Sequence, residues 1–127
     1  MPEKHLYEYA VIRIVPKVER EEFLNVGIIL YSRSARFIKA LYQLNREKLR
    51  HFCDEADPEE LEEHLLAFQK IAAGAADGGP MAKEDAASRF RWLTAVRSSV
   101  IQTSRPHQGF CEDPEQTAQR LFEELVL

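Results

Sequence analysis

Polar side chains that could bind an anion are concentrated in one stretch of eleven residues near the C-terminus. Guanidinium groups, hydroxyls and an amide together supply the hydrogen-bond donors that carboxylate and phosphate groups require. The alternative is that the arginines pair with the acidic C-terminal segment and that the hydroxyls satisfy the ends of a strand. The residues concerned are Arg97, Ser98, Ser99, Gln102, Ser104, Arg105 and His107. The sequence leaves both interpretations open.

A second polar group surrounds the start of a predicted strand in the first third of the chain. Arg20 and Asn25 bracket the entry to this strand, and Gly27 lies within it. A glycine inside a strand indicates a bulge or the close approach of another backbone segment. We therefore treat the polar residues beside this turn as further candidates.

Two histidines and two cysteines match the ligand count of a structural zinc site. They occur as His51-Phe-Cys53 and His107-Gln-Gly-Phe-Cys111, a spacing that fits no familiar zinc motif. A chain with a sizeable core folds without a metal, and no third group is visible to orient His107 as the base for a Cys111 nucleophile. We therefore predict no metal, no cofactor and reduced thiols, although one disulfide between Cys53 and Cys111 stays open without geometry.

The sequence lacks the common catalytic and phosphate-binding signatures. It contains no GxGxxG, GxxxxGK[ST], HExxH, GxSxG or CxxC motif. No nucleophile, paired carboxylates or metal set takes their place. The sequence therefore favours a non-enzymatic role without deciding it.

The elements that would hold these side chains follow the order β-β-β-α-α-α-β-α. Strands are predicted over Leu6–Val15, Asn25–Ser32, Arg36–Leu41 and Ser98–Ser104. The first strand has two largely apolar faces, which indicates an internal position with helices on one side and partial cover on the other. The short turn between the second and third strands favours antiparallel pairing. We therefore expect an α+β fold with a mostly antiparallel four-stranded sheet packed against helices.

Two helix starts carry the strongest local signals. Asp57-Pro58-Glu59-Glu60 and Asp113-Pro114-Glu115-Gln116 each place aspartate at the N-cap and proline at the first helical position. Shorter helices are predicted over residues 45–52 and 83–95, with one helical turn between Val18 and Phe23. Residues 74–82 are rich in glycine and predict a flexible loop within a single domain of residues 1–127, since neither flank could bury a core alone.

Length, charge and hydropathy limit the classes of function. The 127 residues suit one domain, and the net charge of -4 argues against a dedicated nucleic-acid binder. No apolar run approaches the ~20 residues needed to cross a bilayer, and the first residues carry no signal-peptide core. We therefore expect a soluble, cytoplasmic protein without a membrane partner. Basic and acidic blocks alternate along the chain, which indicates either a neutralised, solvated surface or a bipolar surface that steers a charged partner.

Several longer blocks carry a resemblance to a known family. The most specific are Glu19-Arg-Glu-Glu-Phe-Leu-Asn-Val-Gly27 and Phe90-Arg-Trp-Leu-Thr-Ala95, and Tyr7-Glu-Tyr-Ala-Val-Ile-Arg-Ile-Val-Pro16 also matches. Over nearly the whole chain the sequence resembles the bacterial family called domain of unknown function 3037. This resemblance implies a small bacterial cytoplasmic protein and suggests a HipA-like kinase as a candidate partner.

The resemblance marks a set of polar positions as candidate ligand- or partner-binding residues. They are Arg20, Glu22, Asn25, Arg97, Ser98 and His107. One hypothesis is a non-enzymatic protein-interaction or regulatory module that uses the arginine-bearing surface and an exposed sheet edge. The other is a binding protein or small enzyme acting on an anionic ligand, phosphorylated or nucleotide-like, through an Arg/His surface.

The order of elements predicts that Arg20, Arg97 and His107 lie on one surface. Arg20 precedes the second strand and His107 follows the fourth, so both stand at strand ends, where functional loops gather. Arg97 enters the fourth strand from its opposite end and is the weakest member of the three. A deep pocket that contains all three residues favours the anionic ligand, and their dispersal favours the interaction module.

Overall fold

Five strands form one sheet in the computed structural model, which describes residues 3–97 and 99–127. They are β1 (His5–Ile14), β2 (Leu24–Ser32), β3 (Phe37–Tyr42), β4 (Ile101–Thr103) and β5 (His107–Cys111). β2 lies on one side of β1, with β3 beyond it, and β4 and β5 share the other side of β1. Every pair is antiparallel. The predicted α+β class and antiparallel sheet are confirmed.

β1 occupies the centre of the sheet because both of its faces are apolar. Ala10, Ile12 and Ile14 belong to one hydrophobic cluster, and Tyr7 belongs to another. A register shift between Ile12 and Arg13 interrupts the pairing of β1 with β2. Gly27 lies opposite Ile12 at this irregularity, and a Cβ there would collide with the backbone carbonyl of Leu41 on β3. The glycine is therefore required by the close approach of β3.

Four α-helices connect and cover the strands of the described chain. They are α1 (Arg46–Phe52), α2 (Pro58–Ala73), α3 (Ala86–Leu93) and α4 (Pro114–Leu125). Asn45, Asp57, Asp85 and Asp113 are their N-caps, and each side chain accepts a backbone N–H from the first turn. The helix starts at Pro58 and Pro114 are confirmed. Between α2 and α3 the chain turns through residues 74–79 and then forms a 3-10 helix over Pro80–Lys83.

The helices divide between the two faces of the sheet. Leu65 and Phe68 of α2 and Phe90 of α3 pack on the face that carries Ala10 and Ile12, together with Leu49 of α1. The opposite face is covered by α4, whose buried side chains there are Ala118, Leu121 and Phe122. Among the residues described, none of these helices is both long and apolar enough to span a bilayer.

The strands after α3 differ from the prediction. Among the described residues of the strand predicted over 98–104, only Ile101–Thr103 form a strand, and β5 follows it where the sequence indicated only a turn. Ser104 joins the two, since its N–H donates to the carbonyl of Val11 and its hydroxyl accepts the N–H of Val11. β5 was not predicted because Pro106 and Gly109 are depleted in strands and its side chains are mostly polar. Pairing with the apolar β1 outweighs this weak local preference.

Candidate functional site

Arg20 and Glu22 meet in the connection between β1 and β2. Arg20 ends a short 3-10 helix, Val18–Arg20, and its guanidinium forms an ion pair with the carboxylate of Glu22. Glu21 between them adopts a left-handed φ of 56°, which turns the chain and lets the two neighbouring side chains face each other. The side chains of Arg20 and Glu22 are 63% and 53% exposed, so this pair is a surface feature.

A cavity of about 390 Å³, here called the loop cavity, lies between this connection and the C-terminal end of α1. Its charged lining consists of Lys17, Arg20, Glu22, Arg50, Asp54 and Glu55. Cations and carboxylates occur in equal number in that set, and one of the cations is already paired with Glu22. The loop cavity therefore has the size of a ligand site but no clear excess of positive charge.

The Arg97 side chain contacts the C-terminal end of α3, the helix that precedes it. Its guanidinium lies 4.5 Å from the centre of the Trp92 ring in a cation–π contact, and it donates hydrogen bonds to the carbonyls of Ala95 and Trp92. The Trp92 carbonyl belongs to the last turn of α3, where cationic side chains are favoured, and Ala95 lies two residues beyond the helix. Arg97 therefore caps α3. Ser98, the next candidate, lies outside the described residues.

Asn25 connects β2 to the last helix. Its Nδ2 donates to the carbonyl of Leu125 at 3.3 Å, and its position on β2 is opposite Arg13 of β1. The Arg13 guanidinium lies 4.0 Å from the centre of the Phe23 ring. Asn25 therefore has a structural contact that ties the C-terminal end of α4 to the sheet.

His107 is the first residue of β5 and lies opposite Tyr9 of β1. The two rings are 5.3 Å apart, and the Tyr9 ring is 6.2 Å from that of Tyr7. Tyr7 in turn covers Gly109, because a Cβ at that position would come within 2.6 Å of the Tyr7 hydroxyl oxygen. The three rings form a row along the β1–β5 pair, with His107 at its exposed end.

The structure does not bring Arg20, Arg97 and His107 into one cavity. Arg20 lines the loop cavity, whereas Arg97 lines a separate depression of about 220 Å³ between α2 and α3. The chain segment that leads from β1 to Arg20 and the one that leads from Arg97 to β4 meet at the end of β1, where the N–H of Val15 donates to the carbonyl of Val100. His107 lies beside the middle of β1 instead. His107 follows β4 in the chain and is the first residue of β5, because the residues expected to form a turn pair with β1.

The two cysteines belong to different elements of the fold. Cys53 is the C-cap of α1, while Cys111 ends β5 and is buried beside α4. Both thiols are free. The described residues contain no group of three or more His, Cys, Asp and Glu side chains that could hold a metal ion.

The outer edge of β5 presents unpaired backbone groups. Along a strand the N–H and C=O groups of successive residues point alternately to the two neighbouring strands. The carbonyl of Val11 accepts a hydrogen bond from the β4–β5 side, whereas that of Leu6 accepts one from Ser32 of β2. Odd-numbered residues of β1 therefore bond to β5, through the pairs Tyr7–Gly109 and Tyr9–His107. It follows that Gln108 and Phe110 direct their N–H and C=O groups away from β1.

The opposite edge of the sheet is partly closed. The N–H of Gln43 bonds to the carbonyl of Val26 in β2, so by the same alternation Ala40 of β3 faces outward. The Ala40 carbonyl accepts a hydrogen bond of 3.0 Å from Nε2 of Gln69 on α2. A side chain therefore occupies the middle of the β3 edge. Within the described residues, β5 pairs only with β1, and no such side-chain bond covers its edge.

An apolar patch lies beside the open edge of β5. Phe110 is 70% exposed and Leu6, directly opposite it on β1, is 46% exposed. Opposed residues share a face of the sheet, so both lie on the α2–α3 face, beyond the part that the helices cover. A depression of about 420 Å³ adjoins them, lined by Leu6 and Tyr31 together with the polar residues Glu8, Arg33 and Ser34. We call Leu6, Tyr31, Gln108 and Phe110 the β5 patch.

The residues of the β5 patch were not among the sequence candidates. The sequence predicts Leu6 as the first residue of a strand with two largely apolar faces and predicts no element for Phe110. The sequence feature that indicates this patch is a single aromatic residue within the polar segment His107-Gln-Gly-Phe-Cys111. Its exposure depends on where α2 and α3 end over the sheet, which the local sequence does not specify.

Comparison with known proteins gives one match. No curated protein and no solved structure matches the chain. The sequence profile of one family, described as "Protein of unknown function (DUF3037)", matches residues 9–126. The match includes the loop cavity and β5, since it runs from within β1 to α4, but Leu6 of the β5 patch lies outside it. The chain therefore belongs to the DUF3037 family.

Proposed function

We propose that the protein is a non-enzymatic interaction module that binds another polypeptide by strand pairing along the outer edge of β5. The observation that carries this proposal is the coincidence of an open strand edge with the exposed Phe110. A strand edge with outward amides is a template for pairing with another chain. Main-chain hydrogen bonds then supply affinity, and adjoining side-chain pockets supply specificity.

The contrast between the two sheet edges supports this proposal. Natural sheets protect their edges with side chains, charges or covering elements, and Gln69 does so for β3. β5 carries no lysine, arginine or carboxylate along His107–Cys111 that would discourage pairing. An edge that stays open beside an apolar patch is typical of a binding surface.

The dispersal of Arg20, Arg97 and His107 also favours the interaction module over an anion-binding pocket. Arg97 is held by the carbonyls of α3, and Arg20 is paired with Glu22. Neither guanidinium is therefore aimed at a common point with His107. The partner on this proposal is a protein with an extended segment, and a HipA-like kinase is one candidate for it.

A capture experiment with two matched lysine variants tests the proposal. Phe110→Lys places a charge on the β5 patch, and Leu66→Lys makes the same change on α2, where Leu66 is also exposed. Immobilised wild type, Phe110→Lys and Leu66→Lys are incubated with lysate from the native host, and retained proteins are identified by mass spectrometry. We expect proteins retained by wild type and Leu66→Lys to be lost from Phe110→Lys. Equal retention by all three would show that the retained proteins do not bind through β5.

The second candidate function is binding of an anionic ligand in the loop cavity, whose volume is that of a ligand site. Lys17, Arg20 and Arg50 are its cationic groups, and Asp54 and Glu55 oppose them. A titration with inorganic phosphate, followed by NMR, should shift the amide signals of Arg20 and Arg50, and Arg50→Gln should abolish the shift. Absence of any shift in the wild type would remove this function.

A further inference from the structure

We propose that the strand which pairs with β5 is β5 of a second copy of this chain, so that the two sheets join across a twofold axis at Gly109. This inference rests on the proposed function, because it names the partner at the same edge. Most homo-oligomers are symmetric dimers, in which the same patch of both subunits meets itself. The sequence around β5 is suited to such self-pairing in its backbone, its charges and its apolar side chains.

An antiparallel pairing of the two β5 strands places their outward-facing backbone groups opposite each other. An antiparallel alignment centred on Gly109 sets Gln108 of one copy opposite Phe110 of the other. These are the two residues of β5 whose N–H and C=O groups point away from β1. A pair of this kind in an antiparallel ladder exchanges both of its N–H···O=C bonds. The outward N–H and C=O groups of Gln108 and Phe110 in each copy are therefore hydrogen-bonded, while the bonds of Gly109 to Tyr7 stay intact.

The charges beside β5 are complementary in the same alignment. Arg105 precedes the strand, and Glu112 and Asp113 follow it. The antiparallel register brings Arg105 of each copy toward Glu112 and Asp113 of the other, at both ends of the contact. A parallel alignment would bring Arg105 beside Arg105 and the acids beside the acids, which is unfavourable. The charge pattern thus selects the antiparallel twofold arrangement.

The apolar patches also meet across this axis. A twofold axis perpendicular to the sheet keeps the α2–α3 face of both copies on the same side. Phe110 of one copy then lies opposite Gln108 and diagonal to Phe110 of the other, a separation that aromatic side chains span. Leu6 adjoins each Phe110, so the two Leu6–Phe110 pairs approach each other on this face, with Gln108 and Glu8 beside them. The joined sheet contains the five strands of both copies.

The contact is small, which limits its expected strength. One five-residue strand and one exposed aromatic side chain per copy lie at the low end of interface sizes. We therefore expect a dimer whose population rises with protein concentration over about 10 μM to about 1 mM.

Sedimentation velocity and amide hydrogen exchange of the full chain test this inference. In wild type we expect a concentration-dependent dimer, with the amides of Gln108 and Phe110 exchanging more slowly as concentration rises and that of Gly109 unchanged. Gln108→Pro removes only an N–H that points away from β1, so the fold should persist while dimerisation is lost. Circular dichroism verifies the fold, and Leu66→Lys is the control that should dimerise normally.

A charge exchange tests the register separately. Arg105→Glu or Glu112→Lys alone should weaken the dimer, and the double variant should regain part of the lost association. A wild type that stays monomeric over the whole range overturns the second copy as partner. If the wild type is monomeric but retains a lysate protein that Phe110→Lys does not retain, the interaction function stands and the partner is a different protein. If Phe110→Lys retains the same proteins as the wild type, both proposals fail. Dimers that survive in Gln108→Pro and Phe110→Lys place the self-contact elsewhere and also overturn the inference.

Discussion

At the scale of single residues, two of the candidate arginines, Arg20 and Arg97, are occupied by local partners. Arg97 lies over Trp92 and bonds to carbonyls at the end of α3, and Arg20 pairs with Glu22 across one residue. Such contacts use the same fork of donors that would bind an anion. A surface arginine in a sequence therefore becomes a site residue only when the fold leaves its guanidinium without a near neighbour.

The first residue-scale prediction concerns Arg20. Arg20→Glu should change the free energy of unfolding by no more than about 1 kcal/mol, because exposed ion pairs contribute little to stability. Urea denaturation measures the change, with Arg20→Gln as the neutral control. A loss several times larger would mean that the Arg20–Glu22 pair holds the β1–β2 connection in place.

A second residue-scale prediction concerns the N-cap of α3. The backbone N–H of Ser88 donates to the Asp85 carboxylate and holds the pKa of Asp85 below its usual value of about 3.9. A carboxyl group whose pKa is lower in the folded state adds stability above the unfolded value and loses it as pH falls through the folded value. Wild type should therefore lose this contribution below about pH 4.

Asp85→Asn isolates this contribution to stability. Asparagine is also a good N-cap but carries no titrating charge, so the acid-induced loss of stability should be smaller in Asp85→Asn than in wild type. Glu63→Gln removes an exposed carboxylate that caps no helix and serves as the control. Thermal melts between pH 3 and pH 7 measure the difference. Equal losses in wild type and Asp85→Asn would contradict the assignment.

At the scale of elements, Gly27 and Gly109 are the two positions in the sheet where a neighbouring group lies too close for a Cβ atom. A Cβ at Gly27 meets the backbone carbonyl of Leu41, which cannot move without shifting β3, whereas a Cβ at Gly109 meets the hydroxyl end of Tyr7. Gly27→Ala should therefore cost about 1–3 kcal/mol of stability or more, the range for overpacking. Gly109→Ala is the same chemical change at the sheet edge and should cost less. Chemical denaturation of both variants checks the order, and a reversed order would show that β5 is held more rigidly than β3.

At the scale of the whole molecule, the sheet is a central layer between two sets of helices. α2 and α3 cover one face and α4 alone covers the other. Burial of the second face therefore depends on a single helix that is the last element of the described chain. The β5 patch lies where the cover of the first face ends.

The prediction at this scale concerns the docking of α4. Leu121 and Phe122 are both buried against β1, β2 and Cys111 of β5. Replacing both with alanine should destabilise the protein by several kcal/mol, since each truncation of a large buried side chain costs about 2–5 kcal/mol. Arg120→Ala, at an exposed position of the same helix, is the control. An unchanged melting temperature of the double variant would mean that α4 is not docked on the sheet.

The helix starts were predictable from sequence because their causes are local. Asp57-Pro58 and Asp113-Pro114 satisfy free backbone amides within three residues, and both caps are present in the structure. The central place of β1 was also predictable, since two apolar faces require cover on both sides. These features depend on side-chain type and spacing alone.

β5 and the relation among the candidate residues were decided by tertiary contacts. A polar segment with Pro106 and Gly109 has little strand preference of its own, and it becomes a strand because the open side of β1 offers hydrogen-bond partners. That pairing places His107 beside the middle of β1 and exposes Phe110 at an edge. The sequence by itself determined the α+β class and the helix starts, which depend on local interactions. The tertiary structure alone decided which backbone groups stay unpaired, because strand pairing joins residues about a hundred positions apart.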